Sequence, residues 1–201
     1  MNHSLTGYTY IRPLSWREVL AGWRAREASN PAWKELARHK GWPDWESWRG
    51  FTAQQFGAAE RSWQLLRVDQ PNQTIPNWLI GPFPGWQRHC PRQNLTTFAE
   101  LLAEKVRGEP FRAHTGIERI RAGLPFTTQY IGFQRADTKQ IALIDGHHRA
   151  RATALSALRG ELIDWTDTQI TLAITPLSHE ETAGLPAILA QGTDNPSRSR
   201  P

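Results

Sequence analysis

One stretch constrains the fold of this chain more than any other. The apolar run Ile141-Ala142-Leu143-Ile144 breaks off at Asp145-Gly146, and His147-His148-Arg149-Ala150-Arg151-Ala152 follows. Four apolar residues in a row suit a strand covered on both faces, which predicts a central place in a sheet. Glycine permits a sharp turn. Beyond it Ala150, Ala154, Ala157 and Leu158 recur at helical spacing as an apolar stripe. A buried strand must therefore pass directly into a helix.

The neighbouring sequence supplies partners for that strand. "TTQYIGFQ" is β-rich and is joined to "QIALID" by the polar "RADTK", the pattern of a hairpin. "WQLLRV" and "TQITLAIT" are two further strand candidates, and "WLIGPF" is a short apolar segment after the loop "DQPNQTIPN". "LTTFAELLAEKVRG" predicts a helix capped by Thr96 or Thr97, with Phe98, Leu101, Leu102 and Val106 inside and Gly108 at its end. "GIERIRAG" predicts a shorter helix ending at Gly123.

The first quarter reads differently. Ser15 with Glu18 forms a capping-box pattern ahead of Val19, Leu20 and Trp23. Asn30-Pro31 marks a second helix start, and Gly41 its stop. A short helix restarts at Pro43 and ends at Gly50; a fourth is expected from Thr52 to Leu66. Trp33, Trp42, Trp45 and Trp48 gather here among Arg24, Arg26, Lys34, Arg38, Lys40 and Arg49. Such a set serves either as a stacking platform for bases with cations for the phosphates, or as the core of a helical layer. The spacing favours inward packing.

The expected architecture is therefore α+β, a small mixed sheet packed with helices and preceded by a tryptophan-rich helical layer. Residues 1–63 would form the N-terminal extension, 64–177 the sheet-bearing core and 178–201 a C-terminal segment. The last ten residues, "GTDNPSRSRP", are expected to be disordered. At 201 residues the chain is long enough for such a core.

Composition narrows the function classes. No run of 18 apolar residues exists, so no transmembrane helix is expected, and the N-terminal stretch lacks a signal-peptide pattern. A single cysteine, Cys90, can form neither an internal disulfide nor a thiolate metal cluster, and fits a reducing cytoplasm. A net charge of +5 and an isoelectric point near 9.9 favour polyanionic partners such as nucleic acid or nucleotide phosphates.

The turn at 145–149 has the chemistry to meet an anion. A helix N-terminus offers unpaired N–H groups and positive potential. Gly146 would let a phosphate approach the backbone, and Arg149 would clasp it bidentately. His147 and His148 supply tunable donors or acceptors. Asp145 either caps the helix or orients a histidine, holds a divalent ion such as Mg²⁺ or accepts a proton. The two adjacent histidines point about 100° apart on a helix and do not form a metal pair. The loop residues Arg88, His89 and Arg92 are candidates for tracking a DNA backbone.

A β-hairpin leading into "DGHHRARA", then a helix and another strand, resembles the ParB/sulfiredoxin superfamily. Members carry a Gly-x-x-Arg turn that binds nucleotide phosphates, which would correspond to Gly146 and Arg149. Sulfiredoxins place a cysteine where this chain has His147, so the resemblance does not imply sulfinic-acid reduction. ParB proteins carry Gly-Glu-Arg-Arg and a further DNA-binding domain, and match only in part. Length, charge and the opening "YIRPLSW" are similar to the plasmid-encoded oncogenic-suppression and fertility-inhibition group. That resemblance implies ATPase and DNase activities that block delivery of DNA through a conjugation-type (type IV) secretion channel. ATP and DNA would be substrates, with Asp145, His147, His148 and Arg149 catalytic and Gly146, His147, His148 and Arg149 holding the phosphates. Two alternatives remain at this stage. One is an ATP-dependent kinase of a small hydroxylated metabolite of the serine type, with Asp69 as its carboxylate. The other is a non-catalytic nucleotide- or DNA-binding inhibitor that uses the tryptophan layer as its contact surface.

Overall fold

A computed structural model describes residues 5–191 and 194–195. In chain order the elements are β1 (Tyr8–Leu14), α1 (Trp16–Glu27), α2 (Pro31–His39), α3 (Trp45–Gln54), β2 (Trp63–Val68), α4 (Pro71–Thr74), α5 (Pro84–Gln87), α6 (Phe98–Ala103), α7 (Glu109–Arg112), α8 (Thr115–Ala122), β3 (Thr128–Gln134), β4 (Ile141–Asp145), α9 (His147–Leu158), β5 (Ile170–Pro176) and α10 (His179–Gln191). The strands form one mixed sheet in the order β1-β2-β5-β3-β4, with β3 and β5 parallel and the other pairs antiparallel.

Two cores lie on opposite faces of this sheet. One joins Tyr130, Leu143 and Leu172 to Trp78, Phe98 and Leu101, with Ala150, Ala154 and Leu155 of α9. The other joins Ile131, Phe133, Ile144 and Ala173 to Trp23, Trp45, Phe56 and Trp63, with Leu185 and Leu189 of α10. The tryptophan-rich helices and α10 thus cover one face, and the helices from α4 to α9 the other. Trp45 and Trp48 are buried together with Trp23 and build core, so they are neither a stacking platform nor a contact surface, whereas Trp33 and Trp42 are half-buried.

Several elements differ from expectation. Tyr8–Leu14, within the span read as helical, is the edge strand β1, held by its antiparallel ladder to β2. The sheet therefore runs across the boundary expected at residue 63. Gly50 lies inside α3, where nothing would crowd a side chain and so nothing requires the helix to break. No helix spans Thr52–Leu66; α3 ends at Gln54, and Trp63–Leu66 belong to β2. Two short turns interrupt the loops around Pro71 and Pro84, as proline at a first helical position allows.

The largest correction concerns β4. It is not central but sits at the end of the strand order. Its apolar run is buried because Leu79 covers the open edge: Leu79 N–H donates to Ile141 O at 2.8 Å, and Leu143 N–H donates to Leu79 O at 3.1 Å. An edge masked in this way reads in sequence like an interior strand. β5, with β2 and β3 on either side, is central instead.

Helix signals fared better. Ser15, Asn30 and Thr97 cap α1, α2 and α6 as their spacing indicated. Thr97 also closes a capping box with Glu100. Thr97→Ala is expected to cost about 1 kcal/mol, read as a lower urea midpoint with an unchanged slope. The helix it starts ends at Ala103, before Val106, and Val106 is 83% exposed rather than inside. Leu158 is likewise exposed, and the buried face of α9 runs through Ala150, Arg151, Ala154 and Leu155. The tail from residue 192 lies mostly outside the described residues. Within it, Asn195 bonds Lys40 O and Gly41 O, and Asp194 pairs with Lys40.

Candidate phosphate site at the start of helix α9

β4 carries Asp145 to the end of the sheet, and α9 begins two residues later. A register shift opposite Ile131 and Gly132 leaves Ile144 unpaired between Leu143 and Asp145. Such a bulge re-aims the following side chain. Asp145 accordingly faces α1 rather than the first amides of α9. It is no helix cap: that position is Gly146, without a side-chain hydrogen bond.

Asp145 is 3% exposed and lies between two guanidinium groups. Arg26 Nη2 and Arg149 Nη2 each donate to its Oδ2 at 3.3 Å. Glu27 lies beside it, and the Asp145 carboxylate raises the pKa of Glu27. Glu27 Oε2 also accepts from Trp45 Nε1 at 2.9 Å and Arg49 Nη2 at 3.1 Å. Arg49 in turn packs against Trp48, Trp23 and Trp33, 4.0, 4.8 and 5.4 Å from the ring centroids. Arg26 and Arg49 are thus internal counter-ions, not phosphate holders, and Arg24 pairs with Glu46.

Burial drives the protonation of this group. It pushes Glu27 up to about 7, further raised by Asp145 and opposed by Arg49. Burial pushes Asp145 up as well, but Arg149 and Arg26 outweigh it and hold the carboxyl below its ordinary value. The folded protein therefore keeps a proton on Glu27 that the unfolded chain releases above about pH 4.5. Its contribution to stability is present below that value and is lost as pH rises to 7. Glu27→Gln, which mimics the protonated acid, should remove this loss. Urea midpoints at pH 5 and 8 test it: wild type should lose ground to the variant at pH 8, and a constant difference would contradict the raised pKa of Glu27.

Gly146 adopts φ +100°, and a Cβ there would lie 2.4 Å from Tyr130 Cδ1. The space reserved in sequence for an anion is filled by the Tyr130 ring and Arg149, which stacks 5.7 Å from that ring. His147 is also enclosed. Its Nε2 accepts the Gly81 N–H at 3.1 Å, and its ring stacks on Trp86 at 5.0 Å. Burial, and then the neighbouring His148, holds its pKa down to about 3. It is a neutral core histidine with its lone pair already used.

His148 is the motif residue that stays exposed. Its ring lies 5.3 Å from Trp86. Crowding out of water, then the charges of Arg151, His114 and Arg149, lower its pKa and keep it a neutral base at pH 7. Arg151, three residues on and on the same helix face, is buried against Phe111 at 4.8 Å and Trp86 at 6.0 Å. The loop residues are partly committed: Arg92 pairs with Glu100, and Arg88 Nε donates to His89 Nε2 at 2.9 Å.

Sequence reasoning missed Glu27, Arg151, His114 and Trp86. Glu27 did carry a signal, an acid four residues beyond Trp23 on the stripe begun by Val19. Cys90 is buried and its thiol is pushed up to about 11 by burial, unsuited to nucleophilic chemistry. Among the described residues no group of three or more His, Cys, Asp or Glu could hold a metal ion.

Sheet and site together define an α+β protein, a five-stranded mixed sheet between helical layers with a histidine–arginine turn at one strand end. No family model matches this chain, and no curated protein or solved structure does either. No helix among the described residues is long and apolar enough to cross a membrane.

Proposed function

We propose that this protein is a phosphate-ester hydrolase of ParB/sulfiredoxin type, cleaving ATP and DNA and thereby blocking conjugation-type DNA transfer. One observation carries the reading: an exposed His148 sits in the first turn of a helix with no side-chain cap, one turn ahead of the buried, unpaired Arg151. A helix N-terminus and a cation together attract a phosphate, and an imidazole at that position can accept a proton from water. In the reaction, His148 takes a proton from water as its oxygen bonds to phosphorus, and the bond to the leaving oxygen breaks. Cations beside it offset the charge that builds on the phosphoryl group. Asp145, Gly146 and His147 support this surface from beneath; Arg149 orients Asp145. Inhibition of transfer would follow from loss of the DNA in transit or of the ATP that drives the secretion channel.

Phosphate release from ATP, with and without DNA, tests the reading. Turnover above background in the wild type is expected, and ATP binding without turnover would overturn it. DNA affinity should also fall steeply with salt, as phosphate contacts require.

A second reading, a small-metabolite kinase, draws on a cleft of about 480 Å³ lined by Thr9, Arg67, Asp69, Trp165 and Thr168. The cleft opens at the sheet end that carries Asp145. However, β5 and β3 lie between β2 and β4, roughly 14 Å across. Asp69 is also held by Thr9 and Arg67. Label from ATP appearing on a hydroxylated acceptor instead of as free phosphate would favour this reading.

A further inference from the structure

Arg151 stands apart from the other buried and half-buried arginines of the site. Arg26, Arg49 and Arg149 each meet a carboxylate, whereas none of the described acids pairs with Arg151. It is 4% exposed, and its Nε and Nη2 are buried with no hydrogen-bond partner. Its neighbours are the faces of Phe111 and Trp86. Burial lowers its pKa to about 10, so it is still charged at neutral pH. A cation kept out of water without a counter-charge is costly unless something pairs with it.

The surroundings indicate what that partner is. His148 lies one turn earlier on the same face of α9. His114 is close enough to lower the pKa of His148. The His114 Nδ1 accepts the Gly116 N–H at 3.1 Å, which leaves Nε2 as its proton donor. His89 stands edge-on to the Phe111 ring, 4.8 Å between centroids. The set is donor-rich, aromatic-walled and short of acids, which suits a compact, doubly charged oxyanion.

We propose that Arg151, His148 and His114 bind the terminal, dianionic phosphate of the substrate, and that Arg149 does not contact it. The assignment rests on the phosphate-ester reading for its substrate, but not for its binding chemistry. It places the phosphate over the His148 face of α9 rather than over Gly146.

Binding of inorganic phosphate, of ATP and of an oligonucleotide without terminal phosphate tests this by calorimetry on the full chain. Wild type, Arg151→Met and Arg151→Lys are compared, with melting curves for each. Arg151→Met should melt at or above the wild-type temperature, because an uncompensated buried charge is removed. It should bind phosphate and ATP at least tenfold more weakly. Arg151→Lys should recover part of the loss, and the oligonucleotide should bind less tightly than ATP and respond less to either change. A destabilised Arg151→Met protein, or one that binds phosphate as wild type does, would overturn the site. If the wild type turns over no ATP yet binds phosphate through Arg151, the hydrolase reading fails and the site stands. If ATP is hydrolysed equally by wild type and Arg151→Met, the site fails and the hydrolase reading stands.

Discussion

Asp145→Ala is expected to cost about 3–5 kcal/mol of folding free energy, the range for breaking a buried ion pair by removing one partner. In a chain of this length that lowers the melting temperature by roughly 10 °C or more. The size of the effect follows from what is left behind. Arg26 and Arg149, both half-buried, donate to Asp145 Oδ2 and would be left facing each other without it. Glu27 would lose the neighbouring carboxylate that helps raise its pKa. The network ties α1 and α3 to the end of β4, so its loss loosens one helical layer from the sheet. Asp145→Asn keeps the volume but not the charge and should recover only a minor part of the stability. Thermal melts followed by circular dichroism decide the matter. A change of a degree or two would mean that Asp145 is a solvated end-of-strand residue, contrary to its burial.

Gly146→Ala is the second large effect, on the order of 3 kcal/mol. A left-handed backbone costs an alanine about 1–2 kcal/mol, and the overpacking adds about 1–3 kcal/mol. The added methyl would meet the Tyr130 ring at 2.4 Å, and Tyr130 is completely buried, edge-on to Trp78 at 5.0 Å between centroids. The ring cannot swing away without opening the core. A glycine kept only for ligand approach would behave differently: alanine would spare the melting temperature and weaken phosphate binding alone. Denaturation midpoints together with phosphate affinity separate the two cases.

What the sequence revealed follows the range of the forces involved. Caps at Ser15, Asn30 and Thr97, the hairpin of β3 and β4, and the strand-to-helix turn at 145–147 depend on neighbours within a few residues, and all were legible. The place of β4 was not, because a continuous apolar run reports that both faces are covered, not which backbone masks the edge. Leu79 does that from 62 or more positions away. The strand β1 was overlooked among helix signals, although "YTYIRPL" has the composition of an edge strand. At the site, the sequence located the turn but not the division of labour within it. Asp145 meets Arg26 across 119 positions, and His147 meets Gly81 across 66. No local pattern announces such pairings. Helical periodicity did contain one unread hint, since residue 151 follows 148 by three positions and so sets Arg151 beside that histidine.

Within residues 145–149, Asp145, Gly146, His147 and Arg149 build the turn and His148 works at its surface. The most direct measurement is ATP turnover by His148→Ala, made alongside its melting curve. The account predicts a melting temperature close to wild type, since the ring is exposed, and a turnover lower by about 100-fold or more, the range for losing a general base. Turnover equal to wild type in a folded His148→Ala protein would contradict it.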